Sequence, residues 1–122
     1  MNLAPIFLIC SQDKAVTDLL GLSPTRLYLF GSAPQNPVMP YAVWQMVGGS
    51  PENSLSDRAD LDSFSLQIDV YGASASTVRQ VGGAIRDAIE PYCYITSYRG
   101  ESRENETQSY RTSFDVDWFV TR

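Results

Sequence analysis

The chain has 122 residues, 43% of them apolar, and a formal net charge of −5. A chain of this length buries roughly two-thirds of its unfolded surface, so we expect one domain spanning 1–122 with its own hydrophobic core. The negative charge argues against a surface built to neutralise nucleic-acid phosphates. Histidine is absent, which removes the commonest general base and the commonest transition-metal ligand.

The sequence shows no pattern typical of a membrane span or a signal peptide. The apolar run from Ile6 to Cys10 is far shorter than the about 20 residues that a membrane helix needs. The residues before it contain no lysine or arginine, unlike a signal peptide, so we expect a soluble protein made in a cytosol. Cys10 and Cys93 flank apolar residues, which favours free buried thiols over the alternative of a disulfide.

The first residues predict a helical region over 3–20, divided into two short helices. Pro5 lies near a first helical position, Asp13 opens the second stretch, and Gly21 ends it.

Three strands are predicted next, over 26–30, 41–47 and 63–71. In the third, every second residue from Phe64 to Val70 is apolar, which is typical of a strand with one buried face. Between the second and third strands the sequence predicts a long polar loop at about 48–62. Loops of about 12–15 residues are uncommon unless they are functional or disordered.

A helix capped by Ser74 or Ser76 follows and ends at Pro91. Two further strands are predicted over 93–99 and 110–120, with an acidic turn over 100–109 between them. The predicted order is α-β-β-β-α-β-β. This order indicates an α+β fold in which a mostly antiparallel sheet of about five strands packs against two helical elements.

The acidic excess is confined to the two predicted connections, and the rest of the chain has seven acids and seven bases. Because charge concentrated on loops is available for contacts, these residues are our candidate interaction residues. In the first connection they are Glu52, Asp57, Arg58, Asp60 and Asp62, and in the second Glu101, Arg103, Glu104 and Glu106.

A carboxylate cluster is the strongest candidate for chemistry. Asp115 and Asp117 lie two residues apart on one predicted strand, and Asp69 lies on the polar side of another. If those strands pair, the three carboxylates could bind Mg²⁺, as in metal-dependent nucleases. A polar sheet face exposed to solvent or to another subunit explains them better, because serine, glutamine and arginine residues lie between the acids.

Other catalytic patterns are weaker. Gly48-Gly49-Ser50 lacks the lysine of a phosphate-binding loop, and no histidine or nearby lysine is present to activate a serine. The aromatic residues alternate along strands, which favours a role in the core over base stacking. We therefore expect no catalytic residue, no cofactor-binding residue, no metal ligand and no cofactor.

The order of several short segments resembles the tail-terminator (tail-completion) proteins of siphophages. The segments are Ala4-Pro5-Ile6-Phe7, Ala15-Val16-Thr17, Arg26-Leu27-Tyr28, Ala33-Pro34-Gln35, Pro40-Tyr41-Ala42-Val43-Trp44-Gln45, Gly48 to Asn53, Gln67 to Tyr71, Ala84 to Ala88 and Ser113 to Asp117. They span nearly the whole chain in collinear order. No single segment is a specific motif, so the resemblance lies in their joint order.

The resemblance implies a non-enzymatic virion protein that forms a hexameric ring. Such a ring caps the head-proximal end of the tail tube, stops tube polymerisation and offers a docking face for the head connector. Its partners are then other copies of itself, the tube protein and the connector or head-completion protein, with assembly in the host cytoplasm. DNA passes through the lumen without specific binding, and no membrane is involved.

Three alternatives remain open from the sequence. They are a neck or head-closure connector component, a carboxylate-metal nuclease and a host-side binding domain. For the acidic connections we expect one of two roles: facing a lumen, where like charge repels DNA phosphate, or serving only as a solvated surface.

Overall fold

The computed structural model describes residues 3–53 and 61–122, and every structural statement below concerns those residues. It contains three helices and five strands. The helices are α1 (Ile6–Ser11), α2 (Lys14–Leu20) and α3 (Ala75–Ile89), and the strands are β1 (Leu27–Leu29), β2 (Tyr41–Glu52), β3 (Leu61–Gly72), β4 (Tyr94–Glu104) and β5 (Ser109–Thr121). The predicted α+β class and the approximate element order are confirmed.

Local capping sets the bounds of α2 and α3. The Asp13 carboxylate accepts a hydrogen bond from the backbone N–H of Val16 at 3.1 Å, so it satisfies a donor that the first turn of α2 leaves free. Gly21 ends α2 with a positive φ of 84°, which glycine adopts without strain. The Ser74 hydroxyl caps α3 in the same way, accepting from the N–H of Thr77 at 3.1 Å.

The five strands form one sheet in the order β1-β2-β3-β5-β4. Only β1 and β2 pair in parallel, and the other three pairs are antiparallel. The sheet is therefore mostly antiparallel, as predicted. The central pair, β3 and β5, stays in register from Leu61 opposite Thr121 to Gly72 opposite Tyr110.

All three helices pack on one side of the sheet, which we call the covered face. The apolar stripe of α3 meets the alternating apolar residues of β3 and β5, and α1 and α2 add their own buried residues to the same cluster. The largest fully buried side chains are Ile6, Val16, Leu20, Leu66, Ile68, Val70, Val78, Val81, Ile85, Ile89 and Val116. Burial of this surface supplies the main driving force for folding.

Both cysteines are free and buried, as predicted. Burial raises the pKa of the Cys10 thiol to about 12, with a smaller contribution from Asp13. Burial also raises the pKa of the Cys93 thiol to about 11, with a smaller contribution from Glu90. Both thiols therefore stay protonated and unreactive at neutral pH.

The sequence placed the ends of three strands wrongly, those of β2, β3 and β4. β2 continues to Glu52 and β3 begins at Leu61, so 48–52 and 61–62 are strand residues and not loop. Residues 54–60, the centre of the predicted loop, lie outside the described residues. β4 likewise continues to Glu104, which shortens the acidic turn that was predicted over 100–109.

Gly49 explains the first of these errors. It lies inside β2 opposite Phe64, where a Cβ atom would stand 2.6 Å from the backbone oxygen of Ser63. The glycine is thus needed for a close strand approach and does not end the strand. A shift in register between Met46 and Gly48 marks a β-bulge just before it.

No helix in the described part of the chain is long and apolar enough to cross a membrane.

Candidate functional site: the open face of the sheet and its edges

The side of the sheet opposite the helices, which we call the open face, is lined by polar side chains that bond to one another. β-strand alternation directs the odd-numbered residues of β3 and β5 to this side. The principal members are Gln45 of β2, Ser63, Ser65, Gln67 and Asp69 of β3, and Arg111, Ser113, Asp115 and Asp117 of β5.

Asp69 is the most deeply buried acid of the open face, with 8% of the residue exposed. Its carboxylate accepts a hydrogen bond from a terminal guanidinium nitrogen of Arg111 at 2.9 Å and another from Nε2 of Gln67 at 3.1 Å. The bond to Asp69 also raises the pKa of Arg111. These partners compensate for the cost of burying the carboxylate.

The other two candidate metal ligands are paired as well. Nε of Arg99 donates to both carboxylate oxygens of Asp115 at 2.8 and 2.9 Å. The Ser65 hydroxyl donates to Asp117 at 2.7 Å. No group of three or more metal-ligating side chains occurs within 3–53 and 61–122. Each of the three carboxylates instead has a side-chain hydrogen-bond partner on the open face.

A polar depression of about 240 Å³ opens at the β5–β4 side of the open face. Gln67, Arg99, Ser102, Arg111 and Ser113 contribute to its lining. Within the described residues the Ser113 hydroxyl and Nε of Arg111 are buried without a protein hydrogen-bond partner. Because unsatisfied buried donors are costly, this depression suits water molecules or a polar group.

Three tyrosines occupy one end of the open face. The rings of Tyr41 and Tyr71 stack with centroids 5.0 Å apart, and Tyr28 lies 6.4 Å from Tyr41 in a tilted arrangement. Burial, together with the charge of Asp69, raises the pKa of Tyr71. Burial, together with the charge of Glu104, raises the pKa of Tyr41. The Tyr41 and Tyr71 phenols therefore remain uncharged at neutral pH.

The two acidic connections lie at opposite ends of the sheet. The β2–β3 connection follows Glu52, at the end where Leu61 faces Thr121, whereas the β4–β5 turn lies at the end where Gly72 faces Tyr110. Twelve residue pairs separate these ends, which corresponds to about 37 Å of strand. The candidate interaction residues therefore form two sites and not one.

The residues of the β4–β5 connection divide between the two faces. Nε and a terminal nitrogen of Arg79 on α3 each donate to the Glu101 carboxylate at 2.8 Å, and this contact lowers the pKa of Glu101. The Arg103 guanidinium lies over the Tyr110 ring at 5.5 Å and also donates to Gln108. The Arg79–Glu101 and Arg103–Tyr110 contacts lie on the covered face.

The remaining acids of this connection are Glu104, which pairs with Ser109 at the end of β4, and Glu106, which is exposed in the turn. The turn itself is ordered by side-chain bonds, since the Thr107 hydroxyl donates to Glu104 at 3.0 Å.

The β2–β3 connection is described only at its base. Glu52 pairs with Leu61 and is exposed, and the Arg122 guanidinium contacts Asp62 at 3.0 Å. Asp57, Arg58 and Asp60 lie outside the described residues, so their predicted role as interaction residues stays a prediction.

The sequence did not predict an apolar groove at the β1–β2 edge of the covered face. This edge groove has a volume of about 170 Å³. It is lined by Leu3, Ala4, Leu29, Phe30, Trp44, Met46, Phe64 and Leu66. The available signal was the apolar pair Leu29-Phe30 at the end of the short strand 27–29. It was weak, because aromatic residues in and beside strands are more often part of the core.

A second missed surface lies at the β4 edge. The rings of Tyr94 and Phe119 meet edge to face with centroids 6.0 Å apart, and Tyr92 lies exposed two residues before Tyr94. We call these three residues the aromatic edge.

Comparison with known proteins identifies the family. The sequence profile of the family described as "Tail completion protein gp17" matches residues 4–121. Among curated protein sequences there is no match. A chain of the solved structure "Virion of native gene transfer agent (GTA) particle" superposes with a TM-score of 0.74 at 13% identity, covering 96% of this chain and 92% of that chain, which shows a shared fold. The chain therefore belongs to the tail completion protein gp17 family and is a structural protein of a phage tail.

Proposed function

We propose that the protein forms a closed ring that caps the head-proximal end of the tail tube, ends tube polymerisation and presents a docking face to the head connector. The observation that carries this proposal is the separation of two acidic connections by the full length of the central strands. A ring placed between a tube and a connector must offer a different surface in each axial direction. Strands aligned with the ring axis provide these two surfaces.

Each end of the sheet then has its own partner. The β2–β3 end contributes Glu52 and Asp62, and the β4–β5 end contributes Glu106 from its turn. Glu104 lies on the open face at the end of β4 and is not part of the docking surface in this arrangement. Charged residues at the rim of an interface set orientation and association rate more than affinity. One end binds the last tube ring and the other binds the connector, and Asp57, Arg58 and Asp60 belong to the β2–β3 end in this arrangement.

The open face is directed toward the lumen. Its described acidic residues are Glu52, Asp69, Glu104, Asp115 and Asp117, and its described basic residues are Arg99 and Arg111. The resulting negative balance repels phosphate, and the internal pairing leaves few donors free to hold DNA. DNA therefore passes along the face without specific binding, and the protein acts within the virion after assembly in the host cytoplasm.

The same pairing supports a protein without hydrolytic activity. Asp69, Asp115 and Asp117 each have a hydrogen-bond partner, and the chain has no histidine and one lysine, so neither a metal cluster nor an activated nucleophile is present among the described residues. Incubation with supercoiled DNA and Mg²⁺ or Mn²⁺ is expected to give no cleavage. Cleavage that is lost in Asp115→Asn would contradict the structural role.

Deletion of the gene from its phage tests the capping role. Tails assembled without the protein are expected to vary in length or to remain detached from heads, because nothing ends tube growth or binds the connector. Electron microscopy of negatively stained lysates measures both outcomes. Tails of normal length joined to heads in the deletion phage would exclude the function proposed here.

Charge reversal on the open face tests the lumen assignment. Complementation with Glu104→Arg is expected to restore joined tails of normal length but to slow DNA ejection, because a cation facing the lumen binds phosphate. Glu90→Arg is the matched control, since Glu90 is an exposed acid at the end of α3 and away from the open face. Equal ejection kinetics in the two variants would contradict the assignment of the open face to the lumen.

A further inference from the structure

We infer that the edge groove of one copy binds the aromatic edge of the next copy, so that the subunits of the ring associate head to tail. This inference rests on the ring proposed above and adds the two surfaces that close it. Within the described part of the chain, neither surface is covered by other residues and both are exposed to solvent.

The edge groove is apolar and open to solvent. Phe30 is 59% exposed and Leu3 is 50% exposed at its rim, with Leu29 and Met46 beside them, while its floor is formed by the core residues Phe64 and Leu66. Its volume of about 170 Å³ suits one or two large side chains. Contiguous apolar surface of this kind on a soluble domain marks a binding site.

The aromatic edge is a projecting surface of matching chemistry. Tyr94 is 66% exposed, Tyr92 is 59% exposed and Phe119 is 41% exposed. The ring contact between Tyr94 and Phe119 holds these two side chains in one arrangement, which lowers the entropy that binding must overcome. Aromatic residues seated in pockets of the partner are typical anchors of protein interfaces.

The two surfaces lie at the same height along the strands. Met46 of the groove pairs with Leu66, Leu66 pairs with Val116, and Val116 pairs with Ile95, the neighbour of Tyr94. One row of residues across the sheet therefore connects the groove with the aromatic edge. A head-to-tail contact between surfaces at equal height adds copies without a step along the strands, which favours a closed ring over a helical filament.

The two surfaces also lie on opposite sides of the sheet. The groove is on the covered face at the β1–β2 edge, whereas Tyr94 and Phe119 are on the open face at the β4 edge, because Tyr94 pairs with Asp117. Two copies can then overlap their edges, with the open side of the β4 edge resting on the covered side of the next β1–β2 edge. In this arrangement every open face points toward the same side of the ring.

The exposed apolar area of the two surfaces agrees with the size of a specific protein–protein interface. At about 200 Å² for a fully exposed large side chain, the two surfaces together present roughly 700 Å². An interface of about 1,200 Å², of which 56–65% is nonpolar, contains about this much apolar surface. An interface of ordinary size with a second copy is therefore large enough to cover both surfaces, with polar residues around them at its rim.

Backbone pairing between sheet edges explains the ring less well. β4 is interrupted by two register shifts, between Ile95 and Ser97 and between Tyr98 and Gly100, and β2 contains Pro51, which has no N–H to donate. Bulges and edge prolines discourage strand addition. Contacts between side chains are therefore the better candidate for the ring interface.

Two single variants and two matched controls test the interface in native mass spectrometry of the purified full chain. Phe30→Asp in the groove and Tyr94→Ser on the aromatic edge are each expected to weaken self-association by about 10- to 30-fold. Leu22→Asp and Tyr98→Ser change residues that are 69% and 65% exposed outside the two surfaces and are expected to assemble like the wild type. Circular dichroism establishes that all four variants are folded.

Mixing the two variants separates a head-to-tail contact from a symmetric one. Phe30→Asp retains its aromatic edge and Tyr94→Ser retains its groove, so an equimolar mixture has one intact interface and is expected to form heterodimers that grow no further. A wild-type protein that remains monomeric, variants that assemble as the wild type does, or a mixture without heterodimers would each overturn the inference. Failure of the capping function itself would appear separately, as tails of normal length in the deletion phage.

Discussion

The covered and open faces of the sheet are built from the same four long strands but by different physical means. On the covered face, residues such as Ile68 and Val116 are fully buried against the helices. On the open face, Asp69 and Asp115 are held by arginine and glutamine partners. Apolar burial contributes most of the folding free energy, whereas paired polar groups contribute little beyond the cost of their own desolvation. The fold therefore depends on one face and leaves the other available for function.

The largest loss of stability is expected when a side chain is removed from the core on the covered face. Ile68→Ala removes a fully buried side chain from the centre of β3 and is expected to lower the free energy of unfolding by about 2–5 kcal/mol. Gln67→Ala changes the adjacent residue, which donates to Asp69 on the open face, and is expected to cost about 1 kcal/mol. Urea unfolding followed by circular dichroism measures both. Equal costs would remove the distinction between the two faces.

Alkaline pH is expected to weaken the covered face first. Burial raises the pKa of the Cys10 and Cys93 thiols from 9.0 to about 12 and about 11. Below pH 9 the folded and unfolded thiols are both protonated and stability does not change. Above pH 9 the unfolded chain loses these protons first, so stability falls by up to about 1.4 kcal/mol per pH unit for each thiol.

Urea unfolding of the wild type between pH 8 and 10 measures this loss, and the double variant Cys10→Ala/Cys93→Ala is the control. The double variant is less stable at pH 8 because it leaves small cavities. Its stability should then fall much less than that of the wild type, with only a small decline near pH 10 from Tyr41 and Tyr71, whose pKa values are also raised. If the free energy of unfolding of the wild type did not fall between pH 8 and 10, this would contradict the raised pKa values of the two thiols.

The smallest measurable effect concerns the open face. Asp69→Asn leaves Arg111 without a charged partner and is expected to cost about 1 kcal/mol, because the Arg111 side chain is 36% exposed and remains partly hydrated. Arg79→Gln breaks the solvent-exposed pair with Glu101 and should leave stability unchanged within error. A larger loss for Arg79→Gln than for Asp69→Asn would reverse the ranking of these ion pairs.

The sequence predicted the parts of the fold that local physics determines. The alternation of Phe64, Leu66, Ile68 and Val70 predicted β3 because one face of the strand is buried. Asp13 was predicted to open the second helix, and Ser74 was one of two candidate caps for α3, because a cap side chain bonds to a backbone donor three residues away. These features need no knowledge of distant residues.

The errors in the prediction arise where residues far apart in the sequence determine the local structure. The ends of β2 and β4 are exposed, so no apolar alternation marks them, and pairing with β3 and β5 alone keeps them extended. The parallel pairing of β1 with β2 has no local signal either. The edge groove gathers Leu3, Phe30, Met46 and Phe64 from four separate segments, and no spacing along the chain indicates that they meet.

The long register between β3 and β5 has a mechanical consequence. Hydrogen bonds in an antiparallel pair run perpendicular to the strands, so tension along the strands loads all twelve registered pairs in shear. Tension across the sheet would instead peel strands apart one bond at a time. In the ring proposed above, in which the strands follow the tail axis, a subunit would resist the pull of a recoiling or pressurised particle in its strongest direction. The same subunit yields most readily at β1, which pairs over three residues only.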